Sequence, residues 1–485
     1  MKRFLLLLSL FAGPAILFSA ASARPNVIFI LCDDLGVNDL HCYGRTDHRT
    51  PNLDRLAAEG MRFTNAYCAQ PICSPSRAAI LTGKTPARLH LTTYLPGRAD
   101  APSQKLLHPK IEKQVGLDEK TIPRYFKEAG YTTAAIGKWH VGGQGFGPSE
   151  HGFDVVETAP ANTVPSATEG GKGEYALTAF AEAFVEENRE RPFLLYLAHN
   201  TPHIPYKARP DRIAKNAGAF EPVYAAVIES LDATVGLLLA KLDAVGLTKN
   251  TLVVFTSDNG GLHAPEGGHA RVTHNTPFRA GKGFLYEGGL RIPLIVRWPG
   301  QVPAGQVVDA PFLNTDWIPT LLALAGLPVP SGLDAIDASA LLTGRGKLPD
   351  RRLFWHFPHY TNQGGRPGGA MREGTWKLVE LYDAPDNPEL YDLANDIGEK
   401  KDLSSRHPER VRTMRAAMAA WRLSVGAQTN LPNPNVEPAR YREIYEDFDI
   451  GRLEPARANE GQWRALQAWR KAMNAAIQPE GKNLP

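Results

Sequence analysis

The pentapeptide Cys73-Ser74-Pro75-Ser76-Arg77 sits between two acidic pairs and a spaced set of lysines and histidines. Asp33-Asp34 closes a strand-like run, Asn26 to Cys32, and Asp258-Asn259 closes another, Thr251 to Ser257. Lys138-Trp139-His140 and His199-Asn200-Thr201-Pro202-His203 lie between them. Three carboxylates and an amide oxygen make a hard donor set, which suits Ca²⁺ or Mg²⁺ better than zinc. Alone, Asp33-Asp34 reads equally as a helix cap and turn. The second acidic pair, at the end of another strand-like run, favours the ion. Cys73 opens a helix-like segment, where free N–H groups and the helix dipole favour negative charge. An ordinary buried Cys, or a thiolate with a His partner, are the other readings. Neither accounts for four oxygen donors nearby. The set reads as a hydrolase site built on a hard metal ion.

The elements that must position these residues alternate. Val27 to Leu31 is a continuous apolar run, as a strand buried on both faces requires. Thr50-Pro51-Asn52-Leu53-Asp54 opens a helix that Gly60 stops. Ser74 to Leu81 reads as a helix up to Gly83, and Ile122 to Ala129 as another, followed by a strand from Tyr131 to Ile136. Phe193 to Ala198 repeats the buried-strand pattern, and a long amphipathic helix, Tyr224 to Val245, leads into the strand Thr251 to Thr256. This alternation predicts an α/β fold, a large mainly parallel sheet sandwiched by helices. Ligands gather at the carboxyl ends of such strands, which is where both acidic pairs fall.

The texture changes past Lys347. Short strand patterns at Leu353 to Phe357, Trp376 to Glu380 and Glu389 to Tyr391, then a helix from Pro408 to Ser424, predict a small C-terminal α+β domain with an antiparallel sheet. Asn430 to Pro438 reads as a linker or wrapping segment, and a helical piece spans Glu460 to Ala476. The expected organisation is a signal peptide (1–23), a catalytic domain (24–347), the small subdomain (348–429) and a tail (430–485) without a functional reading.

At 485 residues the chain is long enough to bury a sizeable core, and its 43% hydrophobic and 22% charged content is ordinary for a globular protein. The net charge of +3 gives no reason to expect nucleic acid or an acidic membrane as the main partner. Lys2 and Arg3 precede an apolar run, Phe4 to Phe18, and Ala21-Ser22-Ala23 supplies an A-x-A cleavage pattern. An uncleaved anchor is the alternative. The run is short and broken by Gly13 and Pro14, so export with cleavage near Ala23, to the periplasm or outside the cell, is expected, with no stable membrane anchor. The four cysteines, Cys32, Cys42, Cys68 and Cys73, are too few for a disulfide scaffold, and a pair among the first three stays open.

Taken in order, these motifs resemble the formylglycine-dependent (type I) sulfatases of the alkaline-phosphatase-like superfamily. The resemblance runs from Arg24 to about Leu403. Arg24-Pro25-Asn26-Val27-Ile28 leading to Asp33-Asp34-Leu35-Gly36 looks like the family's opening strand and metal pair. Cys73-Ser74-Pro75-Ser76-Arg77 with Leu81-Thr82-Gly83 matches its maturation signature. Gly137-Lys138-Trp139-His140, Thr201-Pro202-His203, Ser257-Asp258-Asn259-Gly260 and Gly281-Lys282-Gly283 match its remaining site motifs.

The resemblance implies that a maturation enzyme oxidises Cys73 to formylglycine while the chain is unfolded. The hydrated aldehyde would attack sulfur, the alcohol would leave, and the second hydroxyl would then expel sulfate. Asp33, Asp34, Asp258 and Asn259, with the converted Cys73, would hold the metal, Ca²⁺ ahead of Mg²⁺. Arg77 and Lys138 would orient the diol, and His140 would take the proton during elimination. His203 would bind sulfate and, with Lys282, protonate the leaving oxygen. The pattern is most similar to bacterial exported carbohydrate sulfatases, including arylsulfatases and N-acetylgalactosamine-sulfatases, so the expected substrate is a sulfated carbohydrate such as a sulfated polysaccharide or glycosaminoglycan.

Substrate selection would fall to rim segments that mix aromatic and basic residues. Tyr94-Leu95-Pro96-Gly97-Arg98, Phe278-Arg279-Ala280 and His356-Phe357-Pro358-His359-Tyr360 are of this kind. Arg98, Arg279, His356 and His359 are the candidate rim residues, with packing at the domain junction as the other reading of the two histidines. A phosphonate or phosphate ester hydrolase of the same superfamily, or a non-catalytic sulfated-glycan binder with Cys73 unconverted, are the competing functions.

Overall fold

The computed structural model describes residues 24–159, 164–166 and 168–477; the segment read as a targeting signal, 1–23, lies outside them. An eight-stranded sheet forms the centre. Its spatial order is Gln306–Val308, Met61–Phe63, Leu294–Arg297, Thr251–Ser257, Asn26–Cys32, Phe193–Ala198, Thr132–Lys138, Val155–Ala159. Asn26–Cys32 pairs in parallel with both Phe193–Ala198 and Thr251–Ser257, and Thr132–Lys138 continues the parallel run outward. Leu294–Arg297 is the strand that breaks it, antiparallel to both neighbours.

The continuous apolar runs have a direct cause. Successive side chains of a strand point to opposite faces. Val27, Phe29 and Leu31 enter one core, while Ile28, Ile30 and Cys32 enter the other. Leu194, Tyr196 and Ala198 divide from Phe193, Leu195 and Leu197 in the same way. A sheet covered on both faces leaves its strand ends as the open edge.

The long helix is Pro222–Ala244, opened by Pro at its first position and by Glu221, whose side chain accepts from Val223 N at 3.4 Å. Among the described residues it is the one helix long and apolar enough to cross a membrane, and two-thirds of its apolar window is buried within the protein. It is a core helix under the sheet. All four cysteines are free.

A second sheet, antiparallel, runs Arg352–Phe357, Gly368–Glu373, Trp376–Leu381, Glu389–Asp392. The helix Pro408–Ser424 covers it through Val411, Met414 and Met418, which pack on Met371, Leu378 and Leu390. Buried polar contacts lock it to the large sheet's domain: Lys377 reaches Glu287 at 2.9 Å, and Glu399 Oε2 accepts from Glu287 N at 2.7 Å.

The stretch expected as a linker is a strap. Leu431–Pro432 pairs with Leu106–Leu107, and Asn433 Nδ2 donates to the carbonyls of Gln104 at 2.8 Å and Ala101 at 3.1 Å. The chain then returns to the main core, where Tyr441, Ile444, Leu466, Trp469 and Met473 are buried in the larger cluster.

Candidate active site

Three adjacent parallel strands deliver most of the site from their carboxyl ends. Asp33 and Asp34 follow Asn26–Cys32, His199 to His203 follow Phe193–Ala198, and Asp258 and Asn259 follow Thr251–Ser257. Lys138 ends the strand Thr132–Lys138. Gly137 before it has φ +103°, and a Cβ there would stand 2.0 Å from the Ala198 carbonyl oxygen, so only glycine lets this strand close on its neighbour. Asp34 and His140 also hold positive φ, 67° and 63°, an uncommon backbone state for residues with a Cβ that clusters at functional sites.

Cys73 is the first residue of the helix Cys73–Thr82, every residue of which is buried, and Gly83 ends it in the left-handed conformation. One turn on, Arg77 shares the face of Cys73. Arg77 Nε donates to Asp258 Oδ2 at 2.7 Å and Nη1 to the Lys138 carbonyl at 2.9 Å. Lys138 Nζ donates to Asp33 Oδ2 at 2.6 Å, and Lys282 Nζ to Asp34 Oδ2 at 2.8 Å. Cys73 Sγ lies 3.3 Å from Asp33 Oδ1 and 3.8 Å from Asp34 Oδ1. Each acid is thus matched by one cation, all buried.

Burial by itself would raise the Asp33 carboxyl, but the cations Lys138, Arg77 and Lys282 outweigh it and hold it well below the usual range. Asp34 is lowered in the same way, against burial, by Lys282. Asp258 differs: burial dominates over Arg77 and pushes it up to about 6. Burial also drives the Cys73 thiol well above its ordinary value, more than Lys138 and Lys282 pull it down. The thiolate reading of Cys73 is therefore disfavoured; the group is a neutral thiol facing two carboxylates.

The histidines are neutral and their tautomers follow from their partners. His140 Nε2 donates to the Leu95 carbonyl at 2.9 Å, which leaves Nδ1 as a buried lone pair with no partner. His203 Nδ1 donates to the Ile204 carbonyl at 2.5 Å, and its Nε2 lies 3.6 Å from Asp34 Oδ2. Burial, aided by nearby lysines, brings both down to about 3.

The donors fit a hard cation. Ligand atoms of Asp33, Asp34, Cys73 and His203 lie within 4.8 Å of one another. Asn259 Nδ2 is satisfied by Asp34 Oδ1 at 2.8 Å and the Gly260 carbonyl at 3.0 Å, whereas its Oδ1 is buried without a donor. An orphaned carbonyl oxygen beside carboxylates is what an oxygen-seeking ion satisfies. Three carboxylates against Arg77, Lys138 and Lys282 leave the ring neutral, so a divalent cation would make it +2 and attract an anion.

Sequence reasoning missed Lys172. It is 2% exposed, donates to the Ile204 carbonyl at 2.6 Å, and is lowered to about 8 by burial against the pull of Asp33. No local motif marks it; only the loop's return to the sheet edge brings it there.

Of the expected rim, three residues are corrected. Arg279 is 7% exposed, lies 3.5 Å over the Tyr286 ring, and donates from Nη1 to Glu389 and the Tyr391 hydroxyl, both at 2.9 Å. His356 is held between the Tyr382 hydroxyl at 2.7 Å and the Gln428 carbonyl at 2.8 Å. His359 bonds Thr92 at 2.8 Å and stacks on His108, ring centroids 5.1 Å apart. All three are saturated inside the protein at the junction of the two sheets. Arg98 is half-buried, in a segment that crosses the site.

Comparison with known proteins agrees with this geometry. The sulfatase family profile matches residues 25–327, and the profile of the N-sulphoglucosamine sulphohydrolase C-terminal region matches residues 279–421. Arylsulfatase A of Homo sapiens is 34% identical over 460 residues, covering 82% of this chain and 86% of the relative. The N-acetylgalactosamine-6-O-sulfatase of Bacteroides thetaiotaomicron is 30% identical over 491 residues, covering 81% of this chain and 92% of the relative. The crystal structure of Ps i-CgsB in complex with k-i-k-neocarrahexaose superimposes with a TM-score of 0.71 at 31% identity, over 82% of this chain and 93% of that one. With a family profile spanning more than half of its length, this chain belongs to the sulfatase family, enzymes that hydrolyse sulfate esters.

Proposed function

We propose that this protein removes sulfate from sulfated carbohydrates through a formylglycine made from Cys73, with Ca²⁺ held by Asp33, Asp34, Asp258 and Asn259. The observation that carries the reading is the Cys73 thiol, neutral and buried, 3.3 Å from Asp33 Oδ1 inside a ring of three acids and three cations. An unmodified thiol so placed is a poor nucleophile. Relatives named for N-acetylgalactosamine-6-sulfate and a neighbour bound to a carrahexaose support a carbohydrate. Ca²⁺ would supply charge neutralisation at the sulfate and the nucleophilic oxygen, and the hydrated aldehyde would supply one hydroxyl for attack and a second for the release of sulfate.

The remaining work falls to side chains of the chain. Arg77 and Lys138, anchored on Asp258 and Asp33, fix the position of residue 73 and favour negative charge there. His140 Nδ1, the free lone pair, accepts the proton when sulfate is released. Lys282, held strongly protonated by Asp34 against the effect of burial, is the standing proton donor to the leaving oxygen. His203 has its Nδ1 proton committed to Ile204, so it can donate only after Nε2 has gained one. The helix bearing Cys73 is wholly buried, which supports oxidation of the chain before it folds. Export is the reading that the segment 1–23 supports.

The test is turnover of 4-nitrophenyl sulfate and of 6-sulfated N-acetylgalactosamine by protein produced with a maturation enzyme, before and after chelation. Turnover abolished by chelation and restored by Ca²⁺ is expected. Turnover indifferent to chelation, or a preference for phosphonate esters, would overturn the reading.

A further inference from the structure

The segment Tyr94 to Arg98 is strapped across the site: Leu95 N donates to Ser74 Oγ at 3.0 Å and its carbonyl accepts from His140 at 2.9 Å. Three residues beyond Leu95, the Arg98 guanidinium is buried at Nε, Nη1 and Nη2, and the partner it meets is the neutral Tyr445 hydroxyl rather than a carboxylate. A second arginine arrives from the tail. Arg470, on the helix Glu460–Ile477, donates from Nη1 to the Asn362 carbonyl at 2.8 Å, while its Nε and Nη2 are buried without acceptors. Asn362 Oδ1 is likewise buried and unpaired.

The two guanidiniums lie on the same part of the fold: Trp469, the residue before Arg470, donates from Nε1 to the Ile444 carbonyl at 2.9 Å, next to Tyr445, the partner of Arg98. Burial lowers Arg470 from its ordinary value; Glu266 opposes this, and the charge of Arg98 adds to it. Because Leu95 bonds both Ser74 and His140, the strap that carries Arg98 borders the catalytic ring. Glu266 is the nearby acid, but its carboxylate accepts from Gln363 Nε2 at 2.5 Å and takes no hydrogen bond from either arginine. Two guanidiniums against one carboxylate leave an excess of positive charge. Buried charged donors without acceptors are costly, and native proteins satisfy them with a partner. A guanidinium fork matches a planar carboxylate or the oxygens of a sulfate.

We propose that Arg98 and Arg470 form a second anion subsite, which reads a carboxylate or a further sulfate on the sugar that carries the scissile sulfate, or on its neighbour. The proposal rests on the sulfatase reading above and deepens it: the substrate is a sugar with at least two anionic groups, and the tail helix helps select it.

The test compares four substrates in the wild type, Arg470→Gln and Arg470→Lys. These are 4-nitrophenyl sulfate, a monosulfated N-acetylgalactosamine, a disulfated one, and a monosulfated disaccharide containing a uronate. The wild type should prefer a doubly anionic sugar. Arg470→Gln should cut the ratio of kcat/KM between doubly and singly anionic sugars about tenfold or more, mostly through KM, and Arg470→Lys should restore part of it. Dependence on Arg470 for the disulfated sugar alone identifies sulfate; dependence for the uronate alone identifies carboxylate. A ratio unchanged for both overturns the subsite, as does an equal loss on every substrate by variants of wild-type melting temperature. Calorimetric binding of the doubly anionic sugars gives an arm free of turnover. Absent turnover with Arg470-dependent binding would fail the sulfatase reading and keep the subsite; turnover with Arg470-independent binding would do the reverse.

Discussion

At residue 73 the chemistry hinges on what replaces a sulfur. Cys73→Ser exchanges one buried, weakly bonded group for another of similar size, so the fold should survive. Turnover should fall by at least about 10³-fold, because a serine hydroxyl can attack sulfur but has no second hydroxyl with which to expel sulfate. Near-wild-type rates, with the serine confirmed unmodified by mass, would contradict the formylglycine account. Asp258 carries a different load. Asp258→Ala removes an oxygen donor and leaves the Arg77 guanidinium buried without its acid, a loss of about 3 kcal/mol or more of stability. Asp258→Asn, which keeps the shape, should fold better yet still lose the Ca²⁺-dependent rise in melting temperature. That rise persisting would remove Asp258 from the metal site. The proton competes for the same oxygen. With Asp258 pushed up to about 6, the ionised form that binds metal prevails above that pH. Ca²⁺ affinity should therefore weaken by about tenfold per unit as pH falls below it, by titration calorimetry. A flat profile from pH 7 to 5 would contradict the assignment.

At the scale of elements, the strand ends that place Asp33, Lys138 and Asp258 were legible because strands buried on both faces are continuous apolar runs bounded by turn residues. The two acidic pairs could be read from their place at the ends of those runs, whereas the roles of Cys73, Arg77, Lys138 and the histidines came only with the family resemblance. Gly368–Glu373 was not legible. Its Gly368-Gly369-Ala370 start lacks strand character, and the reason is steric: a Cβ on Gly368 would stand 2.4 Å from the Glu380 carbonyl oxygen. The buried state of His356, His359 and Arg279 was equally hidden, since each is saturated by residues remote in sequence, from Thr92 to Gln428. A basic or aromatic cluster looks the same on a rim or in a junction until the partners are known. Gly137 ties the two levels together. Gly137→Ala should cost roughly 3 kcal/mol, since its Cβ would collide with the backbone of Phe193–Ala198, and it should also shift Lys138 away from Asp33. A variant with wild-type melting temperature and activity would show that the strands part more easily than their register implies.

For the molecule as a whole, the residues beyond Thr429 hold the fold together as well as carrying Arg470. Asn433 straps the chain to Gln104, and Tyr441, Leu466, Trp469 and Met473 fill the main core. Truncation after Thr429 should expose that apolar surface and yield protein that is insoluble or melts at least about 10 °C lower. A soluble truncation with unchanged melting would assign the tail to the substrate alone. The chain's composition carried no such information, because the tail's apolar residues are spaced among many charges.

The central claim, that Cys73 is the precursor of the nucleophile, is tested most directly by the mass of the Cys73 peptide from a preparation already shown to turn over an aryl sulfate. The account predicts a loss of about 18 Da relative to the unalkylated cysteine, oxygen having replaced sulfur and two hydrogens, outside the usual thiol oxidation ladder. An intact thiol throughout a fully active preparation would contradict it.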